Sequence, residues 1–69
     1  MFETLLTHQG QTRRLLVEHA PAGGWDVREV LDSHELSRAH YADWHRVEQA
    51  VHLKVCLLAQ DGWRAASAG

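Results

Sequence analysis

The chain has 69 residues, a net charge of −2 with neutral histidine, six histidines and a single cysteine. This length fits one small domain, and the lone Cys56 excludes an internal disulfide. Seven basic against nine acidic residues disfavour a nucleic-acid-binding protein, which is usually basic. The sequence shows neither a signal peptide nor an apolar run long enough to span a membrane, so we expect a cytoplasmic protein.

The first half of the chain predicts three β-strands. Residues 2–9 and 12–19 are rich in β-forming residues, and Gly10 between them can adopt the positive φ of a tight hairpin turn. The segment 20–24 contains one proline and two adjacent glycines, which break regular structure. The β-rich segment 25–31 follows this break and predicts the third strand.

Residues 36–42 are compatible with two structures. They could form a fourth strand, or they could form the first two turns of a long helix capped by Ser33. In the long helix, Ser37 and His40 would lie on the core face, where polar side chains are unfavourable. Asp43 is a good N-cap, because its carboxylate can accept a hydrogen bond from the first turn. We therefore predict a strand over 36–42 and a helix over 43–61.

The predicted helix carries two apolar faces. The core face follows helical spacing and consists of Trp44, Val47, Val51, Val55 and Leu58. The opposite face is predicted to consist of Ala50, Leu53 and Leu57, with Arg46 and Lys54 alongside. A small domain needs only one apolar face for its own core. The second face therefore predicts an interaction surface, for a homodimer or for another protein partner.

These elements predict an α+β fold, an antiparallel meander of three to four strands packed against one C-terminal α-helix. Leu6, Leu16 and Val27 of the strands are predicted to join the core face of the helix. Gly62 fits the position that ends a helix, with Trp63 folding back on the last turn. The domain is predicted to span 1–64, and residues 65–69 are predicted to form a frayed tail.

No motif in the sequence specifies a reaction, so we do not expect an enzyme or a cofactor. His52 and Cys56 are four residues apart and meet on one helix face, a spacing that suits two zinc ligands. A structural zinc site needs four ligands, and His45 lies about 10 Å away along the helix axis. The spacing therefore shows no complete ligand set, and no metal site is predicted.

A single-stranded nucleic-acid-binding module with weak affinity is the alternative function. Arg13, Arg28, Arg38 and Tyr41 could share the open sheet face, where arginine and aromatic side chains can stack on bases. Acidic residues are interleaved with these arginines along the strands, which favours a salt-bridged solvent face instead. The main prediction is therefore a non-enzymatic interaction module that self-associates through the outer helix face.

The segment Asp43-Trp44-His45-Arg46-Val47-Glu48, followed by Gly62-Trp63, resembles a pattern in small uncharacterised bacterial proteins. The resemblance covers about twenty residues and implies no known activity. The order of strands followed by a helix is also similar to that of single-stranded-DNA-binding coactivator domains. Architecture alone does not carry function, and this chain lacks their basic face.

Overall fold

Four long strands, one helix and one short strand follow one another in the computed structural model, which describes residues 2–66. The elements are β1 (Phe2–His8), β2 (Gln11–His19), β3 (Trp25–Leu31), β4 (His34–Tyr41), α1 (Trp44–Gln60) and β5 (Arg64–Ala65). All strand pairs are antiparallel, and the strand order in the sheet is β4-β3-β2-β1-β5. The predicted α+β fold is confirmed. No helix among the described residues is long and apolar enough to cross a membrane.

Tight turns set the register of the meander. Gln9 and Gly10 have φ values of 51° and 80°, and left-handed residues of this kind match the right-handed twist of a hairpin. Asp32 opens the β3–β4 turn with a φ of 55°, and its Oδ1 accepts a hydrogen bond from the Thr12 amide at 3.0 Å. The two hairpin turns and the β2–β3 turn are thus built from residues that tolerate unusual backbone angles.

The segment His34–Tyr41 is strand, so the strand predicted over 36–42 is confirmed except at Ala42, and the long-helix alternative is wrong. β4 pairs with β3 along its length, apart from a register shift opposite Glu29 and Val30. Asp43 has an extended backbone, and its Oδ1 accepts a hydrogen bond from the Arg46 amide at 2.9 Å. The side chain of Asp43 thereby satisfies one of the free amides at the helix start.

We expect Asp43→Ala to lower the free energy of unfolding by about 0.5–2 kcal/mol without changing the fold, because the Arg46 amide loses its acceptor. Asp43→Asn is the matched control, since its side-chain oxygen can still cap the helix. Chemical denaturation of the three proteins measures the difference. An alanine variant as stable as the wild type would show that the cap contributes nothing.

α1 covers one face of the sheet, and the core lies between them. Leu15 and Val17 of β2 are buried on the covered face, together with Leu6 of β1 and Val47 of α1. The prediction that Leu16 lies in the core is wrong. Side chains alternate along a strand, so Leu16 lies half-buried on the open face of the sheet.

Trp44 is only partly buried, with 39% of its surface exposed, so its prediction as a core anchor is also wrong. It is the first residue of α1, and no preceding helical turn shields it. Its ring packs edge-on against Phe2 and Trp25, with centroid distances of 5.6 and 4.7 Å. Three predicted core residues are half-buried around the centre of the interface: Val27, Val51 and Val55.

The C-terminal end of α1 closes the core as predicted. Gly62 has a φ of 99°, and the amide of Trp63 donates to the carbonyl of Leu58 at 3.0 Å. This left-handed end turns the chain back on the helix. Trp63 is consequently buried against Leu6 and Leu58.

The end of the described chain is ordered by β1. Arg64 and Ala65 pair with Thr7 and Leu6 of β1, and the amide of Ala66 donates to the carbonyl of Leu5 at 2.9 Å. The prediction of a frayed tail from residue 65 is therefore wrong for residues 65 and 66. Residues 67–69 lie outside the described part of the chain.

Candidate functional site

The outward side of α1 presents a continuous exposed surface. Leu53 and Leu57 lie one turn apart and have 60% and 48% of their surface exposed. Beside them, Cys56 Sγ lies 3.7 Å from His52 Nε2. We name this surface the outer patch; its residues, all exposed, are Gln49, His52, Leu53, Cys56 and Leu57.

Two of the five residues predicted for the interaction surface belong to the outer patch, namely Leu53 and Leu57. Arg46 is exposed at the start of α1, where its Nε lies 3.7 Å from the Asp43 carboxylate. Ala50 lines a groove between α1 and the sheet, so its placement opposite the core is wrong. The helical repeat separates successive residues by about 100°, which puts Ala50 closer to the core face than to the outer patch.

Lys54 was also misplaced by the sequence prediction. Its Nζ lies 3.1 Å from Glu29 Oε1 beneath the helix. Lys54 follows Val47 by seven residues, which is about 20° short of two full turns. A helical projection therefore puts Lys54 on the inner side of α1, beside the buried Val47.

Glu29 is the buried acidic residue of this interface, with 6% of its surface exposed. It forms ion pairs with Arg13 and Lys54, and Ser37 Oγ lies 3.4 Å from Glu29 Oε1. Burial raises the pKa of the Glu29 carboxyl, but hydrogen bonds from Lys54 and Arg13 lower it more, so the pKa lies below its ordinary value. A carboxylate held ionised by two cations is a poor proton acceptor, and its role is to balance charge beneath α1.

A groove of about 200 Å³ lies beside this ion-pair cluster. Its apolar lining comes from both layers and consists of Leu15, Val27, Ala39, Tyr41, Ala50 and Val51. Sites for small organic ligands usually have volumes of about 300–1,000 Å³. The groove is below this range, and its polar groups already pair with one another, so it does not favour a ligand site.

The four residues of the nucleic-acid alternative do not share a face. Arg13 reaches Glu29 beneath α1, and Tyr41, the partner of Trp25 in the register, lines the groove on the same side. Arg28 and Arg38 lie opposite each other on the open face of the sheet. The predicted cluster of arginines beside an aromatic ring is therefore not formed.

Acidic side chains neutralise Arg28 and Arg38 on the open face. Arg28 lies 2.8 Å from Glu35 and 2.9 Å from Glu18, and Arg38 lies 3.2 Å from Glu35. Hydrogen bonds with Glu35 and then Glu18 raise the pKa of Arg28. Hydrogen bonds from Arg28 and Arg38 lower the pKa of Glu35. This face presents paired charges rather than the continuous positive surface that binds phosphates.

Side chains that could bind a metal do not form a complete site within one copy of the described chain. Residues 2–66 contain no group of three or more histidine, cysteine, aspartate or glutamate side chains arranged to hold an ion. His52 and Cys56 do meet, as their spacing predicted. A helical projection of the sequence would have identified the rest of the outer patch, because it puts Gln49 and Leu53 next to this pair.

Comparison of the chain with protein-family models, with curated proteins and with solved structures finds no significant match. Function therefore has to be inferred from the chemistry of its own surfaces. Among the surfaces described above, the groove and the open face of the sheet carry side chains that are paired within the chain. The outer patch combines the exposed Leu53 and Leu57 with the exposed pair His52 and Cys56.

Proposed function

We propose that the chain is a non-enzymatic interaction module that self-associates through the outer patch of α1. The observation that carries this proposal is the adjacent pair Leu53 and Leu57, both about half exposed or more. Phe2 and Trp44 are also exposed, but their rings pack on each other. Single exposed leucines are common, whereas neighbouring ones on a small surface favour a partner.

The sheet edges support the same choice of surface. β4 is interrupted by a register shift opposite Glu29 and Val30, and it carries charged side chains such as Glu35 and Arg38. β5, at the other edge, has only two residues. Bulges, charges and very short edge strands are devices that prevent pairing between sheets. Association through α1 avoids both edges.

The charge pattern supports protein association over nucleic-acid binding. Three arginines of the open face, Arg14, Arg28 and Arg38, each lie within 4 Å of a glutamate. Binding a phosphate backbone there would require these pairs to break. We also propose a cytoplasmic location, where an exposed thiol such as Cys56 remains reduced.

Two copies can pair their helices antiparallel about a twofold axis, so that the same patch is used on both sides. Full burial of a wholly exposed leucine contributes about 1.5–3 kcal/mol. Because Leu53 and Leu57 are 60% and 48% exposed, the four leucines of a dimer contribute roughly 3–6 kcal/mol. Association costs an estimated 4–15 kcal/mol in lost translational and rotational freedom. The leucines therefore supply only part of the free energy of association, and the other exposed side chains of the outer patch must also be buried in the dimer.

We expect the wild type to be a dimer at roughly 100 µM in the presence of a chelator, and Leu53→Glu/Leu57→Glu to be a folded monomer. Buried glutamates facing each other across the twofold axis would repel and lose hydration. Light scattering during size-exclusion chromatography measures the mass, and circular dichroism confirms folding.

Leu36→Glu is the matched control, because Leu36 is equally exposed but lies on β4. We expect this variant to remain dimeric. Loss of the dimer in the Leu36 variant, with the Leu53/Leu57 variant unaffected, would place the interface at the sheet edge. A wild type that is monomeric in the chelator would overturn self-association through the leucines.

A further inference from the structure

His52 and Cys56 lie close to the separation that two ligands of one zinc ion have. Zinc binds sulfur at about 2.3 Å and imidazole nitrogen at about 2.0–2.1 Å with tetrahedral angles, so the two ligand atoms lie about 3.5–3.6 Å apart. The observed distance between Cys56 Sγ and His52 Nε2 is 3.7 Å. Both side chains are exposed on α1, so an ion can reach them without a change in the fold.

A single copy provides only half of a structural site. Within residues 2–66 no third ligand joins the pair, and His45 lies about 10 Å further along the axis. We infer that the outer patch binds one zinc ion between two copies of this chain, each copy providing His52 and Cys56. This inference rests on the proposed self-association. It completes a set of two cysteines and two histidines, a common structural zinc site.

The geometry of an antiparallel helix pair permits this arrangement. A twofold axis perpendicular to both helices, passing between the two outer patches at the level of residue 54, puts His52 of one copy beside Cys56 of the other. The same rotation puts each flank of the patch against the same flank of the other copy. Leu53 and Leu57 would therefore meet the leucines of the other copy on one flank, while the four ligands meet on the other.

Zinc would add what the leucines lack. The apolar contact between the leucines is small. A zinc ion bound by His52 and Cys56 of both copies would join the other flank of the patch in the same antiparallel arrangement. As each zinc–sulfur bond forms, the Cys56 thiol releases its proton to solvent, and no electrons are transferred. The neighbouring leucines would shield one side of the ion from water.

The test measures the dimer dissociation constant by analytical ultracentrifugation, in a phosphine reductant that keeps Cys56 reduced. Chelator-treated protein is compared with protein given one zinc ion for every two chains. We expect zinc to lower the dissociation constant at least about tenfold. Cys56→Ser and His52→Gln should abolish this response. His45→Gln, which removes another exposed histidine of α1, should retain it.

Cobalt provides a second measurement that does not depend on mass. With half an equivalent of Co²⁺, the wild type should show the visible bands of a tetrahedral site and the near-ultraviolet bands of thiolate ligands. Cys56→Ser should lose both sets of bands. Absence of these bands in the wild type, or zinc bound once per chain with no change in mass, would overturn the shared site.

The same experiment separates the two proposals. A dimer that is equally stable with chelator and with zinc overturns the zinc site and supports self-association through the leucines. A chain that is monomeric at about 100 µM in both conditions overturns both proposals. Dimerisation with zinc but not with chelator would support the zinc site and would show that the leucines do not hold the dimer without zinc.

Discussion

Trp63→Ala will leave the domain unfolded at room temperature. Trp63 is 8% exposed and packs with Leu6 and Leu58 at the C-terminal end of α1. Its ring also lies 4.7 Å below the Arg13 guanidinium. Deleting a buried aromatic side chain usually costs about 3–5 kcal/mol. A domain of this size has a total stability of the same order, so the loss removes the folded state.

Far-ultraviolet circular dichroism and a thermal melt measure this effect. Trp44→Ala is the matched comparison, because the same side chain is removed from the other end of α1, where Trp44 is 39% exposed. We expect Trp44→Ala to remain folded with a lower melting temperature. If Trp44→Ala unfolds the domain and Trp63→Ala does not, the core is centred on Phe2, Trp25 and Trp44 rather than on Trp63.

The sequence predicts the ends of the elements well, because single residues determine them. Asp43 caps α1 and Gly62 ends it through local hydrogen bonds and local backbone angles. Gly10 marks the first hairpin for the same reason. These signals do not depend on residues far away in the chain, so they can be recognised without knowledge of the tertiary structure.

The face of each strand could not be predicted in the same way. Leu15, Leu16 and Val17 are consecutive apolar residues, so alternation of apolar and polar residues does not distinguish the two sides. The strand register determines that Leu15 and Val17 face α1. Leu16 then lies on the open face opposite Glu3 and Arg28 of the neighbouring strands, where it is half-buried.

The outer patch could be predicted only in part. Leu53 and Leu57 are apolar, and their spacing indicates a shared flank of the helix. Lys54 was predicted to lie alongside this surface. Its position under α1 depends on a buried partner, Glu29, which is distant in the sequence and comes close only through the β3–α1 packing.

The ion pairs of Glu29 make stability depend on pH in a defined direction. The pKa of Glu29 is lowered in the folded state, so the folded protein holds this carboxyl ionised more strongly than the unfolded chain does. Its contribution is fully present above the ordinary glutamate pKa of about 4.3. It is lost as the pH falls from there through the lower pKa of the folded state.

We expect Glu29→Gln to lower the free energy of unfolding by about 3 kcal/mol at neutral pH. The substitution keeps the size of the side chain but leaves Arg13 as an uncompensated cation in the interface, with its Nε already lacking a hydrogen-bond partner in the described structure. Lys54 can move its ammonium group towards solvent, because that side chain is 44% exposed. Arg13, which is 17% exposed, has less freedom to do so.

Denaturation of the wild type and Glu29→Gln at several pH values tests this prediction. The difference between them should be largest near neutral pH and should shrink as the wild type loses the Glu29 charge in acid. Glu35→Gln is the matched control, since Glu35 also accepts from two cations but lies on the exposed face. Its effect should be much smaller, because water screens surface ion pairs. Equal losses for the two variants would show that burial beneath α1 does not strengthen the Glu29 cluster.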